Sequence, residues 1–179
     1  MDVCNRIAIS SFYELPFGKT ASGAKALLER SWQVNLAAIW ATGLPFTVLN
    51  ASDVSNTNPG AYSADRPNQI AKAALTNPGV HRFFNTAAFA AQPEGTLGNE
   101  RSNQLYGPHT RRIDASLFKN IPLAKKTNLQ FRTEIFNVTN TANFAAPAAN
   151  LGGSNFGELT QMTAGYTPRE IQFALRLQF

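Results

Sequence analysis

The last twelve residues, PREIQFALRLQF, constrain this chain more than any other stretch. Ile171, Phe173, Leu175, Leu177 and Phe179 recur at every second position, with Gln172, Ala174, Arg176 and Gln178 between them. Side chains of a β-strand alternate between two faces. One face of this segment is therefore a ladder of large apolar groups, and the other is small or polar. Two architectures ask for such a strand: the core face of a soluble β-sandwich, and the lipid face of a membrane barrel.

Four more segments carry the same period. In 6–15, Ile7, Ile9, Ser11, Tyr13 and Leu15 share one face. In 32–48, Trp32, Val34, Leu36, Ala38 and Trp40 do so. In 113–123 they are Ile113, Ala115, Leu117 and Ile121, and Lys119 interrupts that face near its end, where a long side chain can snorkel to the interface. In 129–138 they are Leu129, Phe131, Thr133 and Ile135. The final strand spans 169–179. Trp32 and Trp40 lie about 26 Å apart along an extended chain, the separation of two aromatic girdles around an apolar band.

The connections between these segments alternate in length. Residues 16–31 and 122–128 are short connections, whereas 49–110 and 139–168 are long and rich in Asn, Ala, Gly and Pro. A long structureless segment is out of place in a compact soluble domain. Up-and-down outer-membrane barrels have this asymmetry, with short periplasmic turns and longer extracellular loops. The expected fold is all-β: an antiparallel up-and-down transmembrane β-barrel fragment of about five C-terminal strands with long extracellular loops. The alternative is a soluble all-β binding or adhesion module, its strand faces paired across a sandwich core.

Composition narrows the function classes. Charged residues are 15% of the chain, well below the usual quarter. The net charge of +5 comes from scattered basic residues without a nucleic-acid stripe, so no nucleic-acid partner is expected. Cys4 is the sole cysteine, and His81 and His109 lack metal-ligand spacing, so no cofactor or metal is expected. No stretch approaches the length of an apolar transmembrane helix, and Met1–Asn5 does not open a secretory leader. Phosphate-loop and nucleophile-elbow patterns are absent, and the few acids are scattered, so no enzyme activity is expected.

Several motifs together resemble the C-terminal end of TonB-dependent outer-membrane receptors of the Oar-like, carboxypeptidase-regulatory-like domain-containing group. They are YELPFGK (13–19), GLPFTV (43–48), FFNTAAFAAQPEGTLGNERSNQLYGP (83–108), RRIDASLFKNIPL (111–123), LQFRTEIFNVTNTANF (129–144), NFGELT (155–160) and the terminal strand. The resemblance implies a section of a barrel of about 22 strands with a plugged lumen. It implies location in the bacterial cell outer membrane, contact with outer-membrane lipid and uptake of an unidentified large solute. It also implies energy from the TonB complex through N-terminal regions that this chain lacks. The alternating strand ending in Phe179 resembles the signal read by the barrel-assembly machinery, which makes Ile171, Phe173, Leu175, Leu177 and Phe179 a targeting strand. Arg132, Glu134 and Arg176 are expected to face the lumen, with Arg132 and Glu134 a same-side pair of opposite charge. Arg66, His81 and Tyr106, with Phe83, Phe84 and His109 nearby in sequence, are candidate solute contacts in the extracellular loop.

Overall fold

The computed structural model describes residues 3–57, 65–124 and 126–179. The chain divides into two compact units, one built on the long strands and one on the long connections.

The strand unit holds β1 (Arg6–Glu14), β2 (Trp32–Ala41), β3 (Thr110–Ala124), β4 (Thr127–Phe136) and β5 (Glu170–Gln178). They form one five-stranded sheet in chain order, each strand beside the next. Neighbours are antiparallel. For β3–β4 and β4–β5 this is read from the registers. For β2–β3 it follows because the Asn120 amide donates to Ser31 while Asn35 donates to Ser116. At the β1–β2 end the Leu15 amide donates to the Trp32 carbonyl. The sheet is an open meander with β1 and β5 as its edges.

Register brings the five apolar ladders onto one face. Ile171, Ile135 and Ala115 form one rung, and Phe173, Thr133 and Leu117 the next. Leu175, Phe131 and Lys119 follow, then Leu177, Leu129 and Ile121. Directly opposed residues share a face, and a slip of one residue would turn a whole ladder over. The Asn35–Ser116 hydrogen bond sets Asn35 on the opposite, polar face, so Trp32, Val34, Leu36 and Trp40 fall with the apolar rungs. Phe131 and Phe173 stack across β4 and β5 with centroids 6.3 Å apart. This face is uncovered: Phe173 is 67% exposed and Leu175 69%. Soluble monomers rarely leave so continuous an apolar surface to water; hydrocarbon covers it without cost.

The second segment stops at Ala41 rather than near 48. Gly43 is not a strand former, and Pro45–Phe46 pairs instead with Leu105–Tyr106. β3 begins at Thr110 and runs fifteen residues to Ala124. The connection between β1 and β2 contains one short helix, α1 (Gly23–Glu29).

The largest departure from expectation lies in the long connections. The described parts of Ala41–Thr110 and Asn143–Gly165 hold no element longer than three residues, yet they form a compact unit with its own core. Phe46, Val48, Ala73, Phe84, Ala88 and Phe89 are buried together, with Phe156 packed against them. Phe84 is the hub, meeting Phe46 at 5.7 Å, Phe89 at 5.7 Å and Phe156 at 5.2 Å between centroids, the last two edge-on. Three ladders of two residues per strand tie the unit: Pro45–Phe46 with Leu105–Tyr106, Leu49–Asn50 with Asn150–Leu151, and Asn68–Gln69 with Phe89–Ala90. The second ladder joins the two connections to each other. Backbone groups that these short ladders leave over bond to side chains, as when the Gln69 amide donates to Asn99 and the Asn99 amide to Asn68.

Gly98 is required by close approach. A Cβ there would stand 1.9 Å from the Arg66 carbonyl oxygen and 2.5 Å from that of Pro67, both rigid backbone. Gly98→Ala is therefore expected to open the unit of long connections, read as faster proteolysis within 65–105 while the strand sheet stays protected. Phe173→Arg, on the apolar face, is expected to destabilise the assembled barrel by roughly 2 to 4 kcal/mol in a denaturant titration in lipid. Gln172→Arg, one residue away on the other face, is expected to cost far less.

Candidate functional site

The polar face of the sheet is built by the residues that the apolar ladders leave behind. Ser116, Glu134 and Gln172 form one rung, Phe118, Arg132 and Ala174 the next, and Asn120, Gln130 and Arg176 the third. Hydrogen bonds run along it. Gln130 Nε2 donates to Asn120 Oδ1 at 2.7 Å, and Arg132 Nε donates to Gln130 Oε1 at 2.6 Å. The guanidinium of Arg132 lies 4.6 Å over the Phe118 ring. Arg132 thus turns to Gln130 and Phe118 rather than to Glu134, its neighbour of opposite charge on the same face.

Glu134 instead lines a depression of about 450 Å³ with Ser10, Phe12, Asn35, Asp114, Ser116 and Phe136. Asp114 is held there by Arg112, whose Nε donates to both carboxylate oxygens at 2.8 and 2.9 Å. It also accepts the Asn137 amide at 2.8 Å. Asn137 sits at φ 52°, in the left-handed region that asparagine tolerates. Its side chain donates to the carbonyls of Thr141 and Thr167 at 3.0 Å each and accepts the Thr141 amide. This node locks the end of β4 to the start of β5, and the sequence pattern did not reveal it. The only available signal was the Asn in a turn after a strand. The face offers hydroxyls, amides, carboxylates and guanidinia to a polar surface. Among the described residues no group of three or more His, Cys, Asp or Glu side chains is arranged to hold a metal ion.

The candidate loop contacts are held at separate places in the second unit. Arg66 donates from Nη1 to Ser102 Oγ at 3.2 Å. His81 sits in the turn Gly79–Arg82, closed by the Gly79 amide on the Arg82 carbonyl, beside a shallow depression of about 560 Å³ that Leu75 and Val80 also line. Tyr106 lies in the short ladder opposite Pro45, and its hydroxyl accepts from Cys4 Sγ at 3.8 Å. Phe84 is not a surface contact: at 3% exposure it is the hub of the core, and Phe83 packs against that core.

Two carboxyls in this unit are set in opposite directions. The Ser55 backbone amide donates to Asp65 at 2.6 Å and its hydroxyl at 2.8 Å, and these bonds hold the Asp65 carboxyl below its ordinary range. Glu100 is 2% exposed. Burial pushes its carboxyl above the ordinary range, against the pull of the Gln104 amide at 2.5 Å and the Arg66 charge. Asp65 therefore contributes stability that is present above the unfolded carboxylate value and lost as pH falls through its depressed one. Glu100 contributes stability that is complete below its unfolded value and lost as pH rises through its raised one. Glu100→Gln is expected to raise hydrogen-exchange protection of the unit at pH 8 and to change little at pH 4. Asp65→Asn is expected to lower it at pH 7.

No helix of the described residues is long and apolar enough to cross a membrane, a fact that leaves strand-spanning open. No curated protein and no solved structure matches the chain. A family model described as an outer membrane beta barrel domain matches residues 1–172. With its meander of strands, one apolar face and one polar face, this chain belongs to the outer-membrane β-barrel domain family and is a protein of the bacterial outer membrane.

Proposed function

We propose that the chain forms the last wall section and part of the extracellular surface of a TonB-dependent receptor of the Oar-like group, which takes up a large solute. The observation that carries this reading is the open sheet. Among the described residues no further strand pairs with the outer edge of β1 or of β5, and all nine residues of β1 are exposed. Unpaired strand edges are not tolerated in hydrocarbon, so further strands must pair with both. Barrels of about 22 strands with a plugged lumen supply them. The sequence motifs shared with the Oar-like group give the assignment its specificity.

In this proposal the apolar ladders meet outer-membrane lipid. Arg132, Glu134 and Arg176 face the lumen and its plug. The compact unit of long connections, which carries Arg66, His81 and Tyr106, faces outward to the solute. β5, with Ile171, Phe173, Leu175 and Leu177, is the strand that the barrel-assembly machinery reads. The TonB complex supplies energy through regions outside these residues. No residue of the chain performs covalent chemistry, and no cofactor or nucleic acid takes part.

An immunoblot of fractionated source cells with an antibody to 168–179 tests the proposal. The expected result is a heat-modifiable outer-membrane band far above 19.5 kDa, whose solute uptake fails in cells lacking the TonB complex. A soluble band at 19.5 kDa would overturn it in favour of a soluble all-β binding or adhesion module.

A further inference from the structure

The strand ends joined by the short connections differ from the rest of the chain in charge. Residues 14–31 and 119–126 contain six basic residues, Lys19, Lys25, Arg30, Lys119, Lys125 and Lys126, against two acidic ones, Glu14 and Glu29. Six less two leaves +4 of the chain's total of +5 in these two short segments. Glu29 is engaged by Lys25 at 3.6 Å.

The same connections are unexpectedly apolar on their surface. Phe17 is 60% exposed, Leu28 73% and Leu123 58%. Turns that meet only water are built from Gly, Pro, Asn, Asp and Ser. Exposed aromatic and aliphatic side chains among lysines are the composition of segments that lie in a membrane interface, where the apolar groups enter the acyl boundary and the cations stay with the headgroups.

The connection is also pinned in place. The Arg30 guanidinium donates to the Gly18 carbonyl at 2.7 Å, to Lys19 at 2.9 Å and to Ala21. Trp32 Nε1 donates to the Leu28 carbonyl at 2.9 Å, which ties Leu28 to the start of β2. Lys119 shares a rung with Phe131 and Leu175 on the apolar face. Its ammonium donates to the Arg30 carbonyl and lies 5.2 Å over the Trp32 ring. The lysine that interrupts the lipid face is thereby held at its rim, with an aromatic group of the kind that marks membrane interfaces.

We propose that this end of the sheet is a docking surface for anionic phospholipid headgroups, with Phe17 and Leu28 entering the acyl boundary and Lys19, Lys25 and Lys126 reaching the phosphates. Short turns of these barrels face the periplasm. The positive charge selects an anionic headgroup over a zwitterionic one. The exposed apolar side chains select a lipid over an acidic protein. The proposal rests on membership of the outer-membrane barrel family and not on the TonB-dependent assignment.

The test is native mass spectrometry of the assembled protein extracted from the outer membrane, titrated with phosphatidylglycerol or with phosphatidylcholine. The wild type is expected to prefer phosphatidylglycerol by about ten-fold. Lys19→Gln/Lys25→Gln/Lys126→Gln is expected to bring the two lipids near parity. The corresponding triple arginine variant is expected to keep the preference. Phe17→Ser/Leu28→Ser is expected to weaken both lipids. Equal affinity of the wild type for the two lipids, or a glutamine variant with its preference intact, would overturn the proposal. If the triple glutamine variant fails to assemble, shown by loss of heat-modifiability, the three single substitutions replace it. Each is then expected to lose part of the preference, and three singles without loss would count against the proposal equally.

Discussion

Hydrocarbon offers no partner to a backbone amide or carbonyl, and this deficit governs the whole strand unit. Each strand must find its hydrogen bonds in the next, which leaves an antiparallel meander as the simplest way to lay five consecutive strands side by side. Once pairing is compulsory, register becomes the only freedom left. The side chains fix it: a slip of one residue between β4 and β5 would carry Ile171, Phe173, Leu175 and Leu177 from the lipid to the polar face. The two faces then follow as consequences. One is a bare apolar surface crossed by the Phe131–Phe173 stack, and the other is a polar mesh in which Arg132, Gln130 and Asn120 satisfy one another.

The second unit obeys the opposite rule. Its connections can meet water, yet they bury Val48 and Ala88 completely and gather four phenylalanines into contact. Short ladders and hydrogen bonds to the side chains of Asn68 and Asn99 and from that of Gln104 replace long strands. The described connections thus carry a hydrophobic core and paired backbone groups of their own.

The strands were legible because period two is written in contiguous residues. Ile7 to Leu15, Trp32 to Trp40 and Ile171 to Phe179 each announce their face without reference to any other part of the chain. The core of the long connections was not legible. Phe46, Phe84, Phe89 and Phe156 are up to 110 residues apart in sequence, and ladders of two residues leave no period to detect. Asn and Gly there suggested irregularity, whereas Gly98 permits close backbone packing and Asn99 bonds the ladder beside it. On the polar face the residue set was evident and the partners were not. Arg132 and Glu134 are two positions apart in sequence, but Arg132 is used by Gln130 on its own strand and Phe118 on the next.

The apolar ladder running through β5 meets lipid, and the residues between turn away from it. Spin labels at single cysteines introduced at 171 through 176, in the assembled protein with Cys4 replaced by serine, test this most directly. The expected pattern has period two, with labels at 171, 173 and 175 relaxed by oxygen and labels at 172, 174 and 176 by a water-soluble nickel chelate. Equal access of the chelate to all six positions would contradict it.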